Sequence, residues 1–120
     1  MKDPLYKQKI MSHYYSSKHY GLQKEFDEEG KGENRMCGDS IVIRAAFENE
    51  VVKKISFESE GCVISKSSAS FLLDLVEGEK RENARQLTPS YILEEFFRGA
   101  LTPQRVHCAL LPLEVLKKIL

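Results

Sequence analysis

SIVIRAAFENEVVKKISFES, residues 40–59, contains two runs rich in β-branched and aromatic residues, joined by the polar segment ENE. Apolar residues occupy alternate positions of these runs: Ile41, Ile43, Ala45 and Phe47 in the first, and Ile55 and Phe57 in the second. An alternation with a period of two is typical of a strand that buries one face. A short polar link between two such strands predicts an antiparallel hairpin.

Helical patterns precede and follow this hairpin. From residue 4 to 16 apolar side chains recur at spacings of three and four, with a proline at the start, which predicts a short amphipathic helix. The same spacing predicts a helix from about residue 64 to 77, and Gly78 stands where a helix ends. Residues 24–35 are charged, contain two glycines and show no apolar period, so they predict a mobile loop.

Two further helices are predicted near the end of the chain. TPSYILEEFF begins with a capping threonine and a proline and predicts a helix that ends near Gly99. CALLPLEVLKKIL predicts a terminal helix. Because proline is tolerated only in the first turn of a helix, Pro112 predicts that Cys108 lies at or just before the helix start.

The order helix, hairpin, several helices indicates an α+β fold. We expect a small antiparallel sheet of about three strands, with helices packed on one face. A chain of 120 residues is long enough to bury one core and too short for two, so residues 1–120 are interpreted as a single domain.

The composition argues against several partners. Lysine and arginine number 18 and aspartate and glutamate also number 18, so no basic field is available to bind nucleic acid. No apolar stretch approaches the roughly 20 residues that cross a bilayer, and the opening residues do not resemble a secretory signal. The sequence therefore predicts a soluble, cytoplasmic protein with reduced thiols rather than disulfides.

The three cysteines all lie where predicted elements meet. Cys37 precedes the first strand of the hairpin, whereas Cys62 and Cys108 are expected at helix starts, where backbone N–H groups favour a negative charge. If the chain is extended at residue 37, Asp39 projects on the same side as Cys37. His107 adds an imidazole beside Cys108, so these five side chains offer the sulfur, oxygen and nitrogen ligands that zinc or an iron-sulfur cluster takes.

Other interpretations remain open at this stage. Free cysteines are among the most frequently buried residues and act there as small hydrophobes. The spacing of the cysteines is not the compact pair of a zinc motif, so spacing alone is weak support for a metal site. A cysteine hydrolase is disfavoured, because His107 and Cys108 are adjacent and neighbours on a helix point in different directions.

The residues around the cysteines resemble those of the NifU/IscU family of iron-sulfur cluster assembly scaffold proteins. The family's C-G-D is present at residues 37–39, its G-C-x-x-S-x-x-S matches GCVISKSS at 61–68, and its H-C matches His107 and Cys108. HYYSSKHYG at 13–21 matches a fourth family motif in part, with Ser17 and His19 where proline and asparagine are usual.

The resemblance implies a SufE/NifU-like fold and a scaffold or carrier rather than an enzyme. A cysteine desulfurase would deliver sulfur as a persulfide, and a two-iron two-sulfur cluster would be built and then passed to acceptor proteins. Cys37, Cys62 and Cys108 would bind the cluster, and Cys108 would accept the persulfide. Asp39 or His107 would be the fourth ligand, with Asp39 making the cluster labile, and zinc would occupy the site when no cluster is present.

Some residues depart from the family pattern. Arg35 stands in place of a proline, and LTPQR at 101–105 keeps only part of the segment that an Hsp70-type chaperone recognises, which places that partner in doubt. The resemblance is compatible with a monomer or a homodimer.

The alternative within the same fold is a SufU-type zinc protein that relays persulfide sulfur without building a cluster. That branch carries an insertion between the second and third cysteines and lacks the histidine before the third. The short spacing here and the presence of His107 favour the scaffold.

Overall fold

The computed structural model describes residues 4–36 and 38–120, with the side chains of the first helix described from residue 8 onward. The elements in chain order are α1 (Pro4–Tyr15), β1 (Glu28–Asn34), β2 (Asp39–Glu48), β3 (Val51–Glu60), α2 (Val63–Val76), α3 (Arg81–Ala84), α4 (Pro89–Tyr91), a π-helical turn (Ile92–Phe96) and α5 (Pro103–Ile119). The strands form one antiparallel sheet in the order β1-β2-β3. The predicted α+β fold is confirmed.

The predicted hairpin is formed by β2 and β3. Asn49 and Glu50 form its two-residue connection and both have positive φ, at 53° and 63°. Such a connection matches the right-handed twist of the strands that it joins. The alternating apolar side chains of the two strands face the interior, where Ile43, Ala45 and Phe57 are fully buried.

Helices α2 and α5 cover this apolar face of the sheet. Ala69, Leu73 and Val76 of α2 join the strand residues in one cluster, together with four apolar residues of α5: Leu111, Val115, Leu116 and Ile119. A second apolar cluster lies between α1, α2, the π-helical turn and α5, and its members include Phe71, Phe96 and Cys108. In the described part of the chain, no helix combines the length and the apolar character needed to cross a membrane.

The prediction of a mobile loop over residues 24–35 is wrong, because most of that segment forms strand β1. Its inward positions are taken by Gly30 and Gly32, so the strand shows no apolar period. A Cβ on Gly32 would lie 2.5 Å from Val115 Cγ2, and one on Gly30 would lie 2.8 Å from Ile119 Cγ2. Helix α5 therefore packs directly on the backbone of β1.

The predicted start of the terminal helix is also wrong. Thr102 precedes the helix and Pro103 occupies its first turn, whereas Pro112 lies well inside the helix. The first-turn position that favours proline is therefore occupied by Pro103 and not by Pro112. Cys108 consequently lies more than one turn into α5 and not at its N-terminus.

Candidate metal centre

Three side chains from distant parts of the sequence meet at the N-terminal end of α2. Asp39 is the first residue of β2, Cys62 is the N-cap of α2, and Cys108 lies on α5. One carboxylate oxygen and the two sulfur atoms lie within 4.8 Å of one another, the one such group of possible metal ligands among residues 4–36 and 38–120. These are three of the five side chains predicted as ligands.

Asp39 and Cys62 are joined by a hydrogen bond to the backbone at the start of α2. The Cys62 N–H donates a hydrogen bond of 2.8 Å to Asp39 Oδ1, and the Cys62 thiol lies 3.7 Å from Asp39 Oδ2. In a capping box, a glutamate of the first turn reaches back to the N-cap N–H. Here Asp39 performs that role from a neighbouring strand, and its side chain is only 1% exposed.

Cys108 reaches the same group from α5. It is 2% exposed and belongs to the apolar cluster between α1, α2 and α5. Its sulfur lies 3.8 Å from the carbonyl oxygen of Gln104, one turn earlier in α5. Cys62 is less buried than Cys108, so the two sulfurs differ in access to solvent.

The donor set fits a tetrahedral soft cation. Zinc–sulfur bonds of about 2.3 Å and zinc–oxygen bonds of about 2.0 Å place an oxygen and a sulfur ligand about 3.5 Å apart. The separation of 3.7 Å between Asp39 Oδ2 and Cys62 Sγ is close to that value. Two sulfurs and one carboxylate oxygen are also suitable ligands for the iron of a cluster.

The other two predicted ligands are placed differently. Cys37 lies outside the described residues. His107 is exposed and lines a cavity of about 230 Å³ with Asn34, Met36, Pro103 and Gln104. It is not part of the group formed by Asp39, Cys62 and Cys108.

A second polar cluster, which the sequence analysis did not predict, lies nearer the C-terminal end of α2. His19 is 3% exposed, and its Nε2 lies 2.9 Å from Asp74 Oδ1 while its Nδ1 lies 3.1 Å from the carbonyl oxygen of Ile55. Glu77 Oε2 is 3.5 Å from the same Nδ1. Both ring nitrogens therefore have oxygen partners within the protein.

His13 approaches the same carboxylate from α1. Its Nδ1 lies 2.8 Å from Ser70 Oγ and 3.7 Å from Asp74 Oδ2. Burial lowers the pKa of His13 below its ordinary value, and the positive charges of Lys9 and His19 act in the same direction, while Asp74 opposes them. Because Ser70 and Asp74 face the same ring nitrogen, the three do not form a hydrolase triad.

The buried serines of α2 connect the helices. Ser68 Oγ donates a hydrogen bond of 2.6 Å to the carbonyl oxygen of Ala109 on α5, and Ser67 Oγ lies 3.1 Å from the carbonyl oxygen of Ile10 on α1. Small side chains at these positions let three helices approach closely. The hydroxyls of Ser67 and Ser68 therefore serve as contacts between helices.

Known proteins resemble this chain over nearly its whole length. A family profile described as NifU-like N terminal domain matches residues 5–120. The iron-sulfur cluster assembly scaffold protein IscU of Aquifex aeolicus (strain VF5) is 32% identical over 113 residues, which are 92% of this chain and 71% of that protein. The zinc-dependent sulfurtransferase SufU of Bacillus subtilis (strain 168) is 29% identical over 134 residues, covering 97% of this chain and 89% of that protein.

A solved structure has the same fold. The crystal structure of a candidate iron-sulfur cluster assembly scaffold protein for the SUF system, from Fervidobacterium islandicum AW-1, superimposes with a TM-score of 0.84. The superposition covers 93% of each chain at 22% identity. It supports the arrangement of three strands and flanking helices described above.

Proposed function

Because this chain belongs to the NifU-like N-terminal domain family, we propose that it is a scaffold on which a transient two-iron two-sulfur cluster is assembled from iron and persulfide sulfur. A cysteine desulfurase supplies the sulfur, and acceptor proteins receive the cluster. The observation that carries this proposal is the convergence of one carboxylate oxygen and two thiols within 4.8 Å. Cys37 is proposed as a third thiolate ligand.

Sulfur arrives by exchange between sulfur atoms. The Cys108 thiolate attacks the terminal sulfur of the desulfurase persulfide, a new S–S bond forms on Cys108, and the desulfurase thiolate leaves. No net oxidation accompanies this transfer. Conversion of each transferred sulfur atom to sulfide consumes two electrons, which an external thiol or electron carrier supplies.

Asp39 makes the assembled cluster easier to release. A carboxylate is a harder and poorer ligand for cluster iron than a thiolate. Asp39 is therefore proposed as the labile ligand, while His107, which precedes Cys108 on α5, is proposed as an auxiliary ligand.

The test is reconstitution without oxygen from iron, cysteine, a dithiol reductant and a desulfurase. We expect visible absorption of an iron-sulfur cluster in the wild type and none in Cys108→Ser. Ala109→Ser is the control, because it introduces a hydroxyl at the neighbouring buried position of α5 and leaves the thiols in place. A wild-type protein that stays colourless under these conditions contradicts the scaffold proposal.

A zinc-dependent sulfurtransferase is the second candidate function. It is supported by the similarity to SufU of Bacillus subtilis and by a ligand group compact enough for a single ion. This function predicts one tightly bound zinc ion, no chromophore, and release of labelled sulfur from Cys108 to a second thiol. Radiolabelled persulfide and metal analysis on the same preparation separate the two functions.

A further inference from the structure

The turn between β3 and α2 contains Gly61. The Asp39 carboxylate occupies the space that a side chain at this position would fill. Gly61 has φ of +129°, a conformation that residues with a Cβ rarely adopt. A Cβ built on Gly61 would overlap Asp39 Oδ1 and would lie 2.8 Å from Asp39 Cα and 2.9 Å from Asp39 Cγ. Any side chain at position 61 therefore displaces Asp39.

We propose that Gly61 is a positioning residue of the metal centre, which acts by seating the Asp39 carboxylate over the N-terminus of α2. The inference rests on the proposed function only in identifying the ligand as a soft metal ion or cluster iron. With no side chain at position 61, Oδ1 reaches the Cys62 N–H and Oδ2 faces the Cys62 sulfur.

This seating distinguishes the two oxygens of Asp39. Oδ1 accepts a backbone hydrogen bond of 2.8 Å, and Oδ2 is the oxygen that faces the Cys62 sulfur. We therefore expect Asp39 to bind a cation through Oδ2 rather than as a two-oxygen chelate. A single oxygen beside two sulfurs suits four-coordinate zinc or cluster iron, whereas calcium takes six to eight oxygen ligands.

The same hydrogen bond also holds Cys62. Its N–H is fixed by Asp39, and Ser65 Oγ donates a hydrogen bond of 3.2 Å to its carbonyl oxygen. Both backbone polar groups of the N-cap residue thus have side-chain partners, which restricts the direction of the thiol. Gly61 therefore positions two predicted ligands, Asp39 directly and Cys62 through Asp39.

The opposite end of α2 offers a matched control. Gly78 follows α2 and also has a positive φ, +88°, but no atom lies within 4 Å of a Cβ built on it. Gly61→Ala and Gly78→Ala therefore impose a similar backbone strain at the two ends of one helix. Only Gly61→Ala collides with a carboxylate.

The experiment compares both variants with the wild type by cobalt(II) titration and by the ¹H–¹⁵N NMR spectrum. Cobalt reports thiolate ligation through its sulfur-to-metal charge-transfer absorption, and the Cys62 amide shift reports the bond to Asp39. We expect Gly61→Ala to lower cobalt affinity at least about tenfold, as loss of an outer hydrogen-bond partner does in metal sites, and to shift the Cys62 amide upfield. Gly78→Ala should leave the cobalt affinity and the Cys62 amide shift unchanged.

A second pair of variants keeps the test decisive if Gly61→Ala does not fold. Asp39→Asn retains an oxygen that can accept from the Cys62 N–H, so the amide shift should persist while cobalt affinity falls. Asp39→Ala should lose both. The inference is overturned if Gly61→Ala leaves cobalt affinity and the amide shift unchanged, or if Asp39→Ala leaves the amide shift unchanged.

These measurements need no desulfurase and form no cluster. A failure of cluster reconstitution in the wild type therefore leaves the result for Gly61 unaffected.

Discussion

The N-terminal and C-terminal ends of helix α2 use the same kinds of polar groups for different purposes. At the C-terminal end, Asp74 lies between His13 and His19, and each nitrogen of His19 has an oxygen partner within the protein. At the N-terminal end, Asp39 converges with Cys62 and Cys108. The histidines and Asp74 are partners of one another, whereas Asp39, Cys62 and Cys108 form a group of possible metal ligands.

From this difference we expect the histidine cluster to stabilise the fold and the cysteine cluster to serve as the proposed metal site. The histidine cluster joins α1 and the segment before β1 to α2 and β3 by contacts that are complete within the chain. The cysteine cluster gathers donors whose attraction to one another is weak. Substitutions in the histidine cluster should therefore lower stability and leave metal binding unchanged. Substitutions in the cysteine cluster should lower metal binding and leave stability nearly unchanged.

The largest effect is expected for Cys62→Ala. Loss of outer partners of a metal ligand already lowers affinity by about 10–100-fold, so loss of the ligand itself should lower cobalt affinity by more than about a hundredfold. The free energy of unfolding should change by no more than about 1 kcal/mol, because the thiol is only partly buried. Cobalt titration and urea unfolding on one sample measure both quantities.

The reverse result is expected for His19→Ala. The substitution leaves a cavity at a buried position and removes the partners of Asp74 and of the Ile55 carbonyl. The free energy of unfolding should fall by about 2–4 kcal/mol, with cobalt affinity retained. Lys18→Ala, at the exposed neighbouring position, is the control. Equal losses of metal affinity at His19 and Cys62 would show that the two ends are not independent.

The smallest expected effect is on the pH dependence of the free energy of unfolding. Burial lowers the pKa of His13 below 6.5, its value in the unfolded chain, so the unfolded state takes up this proton first as the pH falls. The folded state therefore loses stability as the pH falls below about 6.5. The comparison with His13→Asn separates the contribution of His13 from those of its neighbours Asp74, Lys9 and His19. Urea unfolding at several pH values should give a shallower acid dependence for that variant.

The sequence predicted the parts of the fold that depend on apolar periodicity. The β2–β3 hairpin and α2 were predicted closely because their buried residues are spaced at two and at three or four. Strand β1 was missed because Gly30 and Gly32 face α5. Glycine has no apolar side chain, so these inward positions show no period of two. The start of α5 was misplaced because nothing local distinguishes the proline at 103 from the one at 112.

The sequence predicted which residues belong to the candidate site, but only part of their arrangement in space. The motifs around residues 39, 62 and 108 identified side chains that the fold brings together. Nothing in the sequence links His19 to Asp74, since their contact depends on how α1 and α2 pack. The role of Gly61 was equally hidden, because it depends on the atoms of a residue in another strand.

The difference in burial between the two sulfurs has a consequence for the timing of sulfur chemistry. Cys62 is partly exposed and should react with a reagent directly, whereas Cys108, at 2% exposure, should react only after a local opening of the surrounding structure. Alkylation of Cys62 thus measures the reactivity of a thiol, and alkylation of Cys108 measures the frequency of an opening motion. The same opening would set the upper limit on how fast any persulfide donor can load this chain.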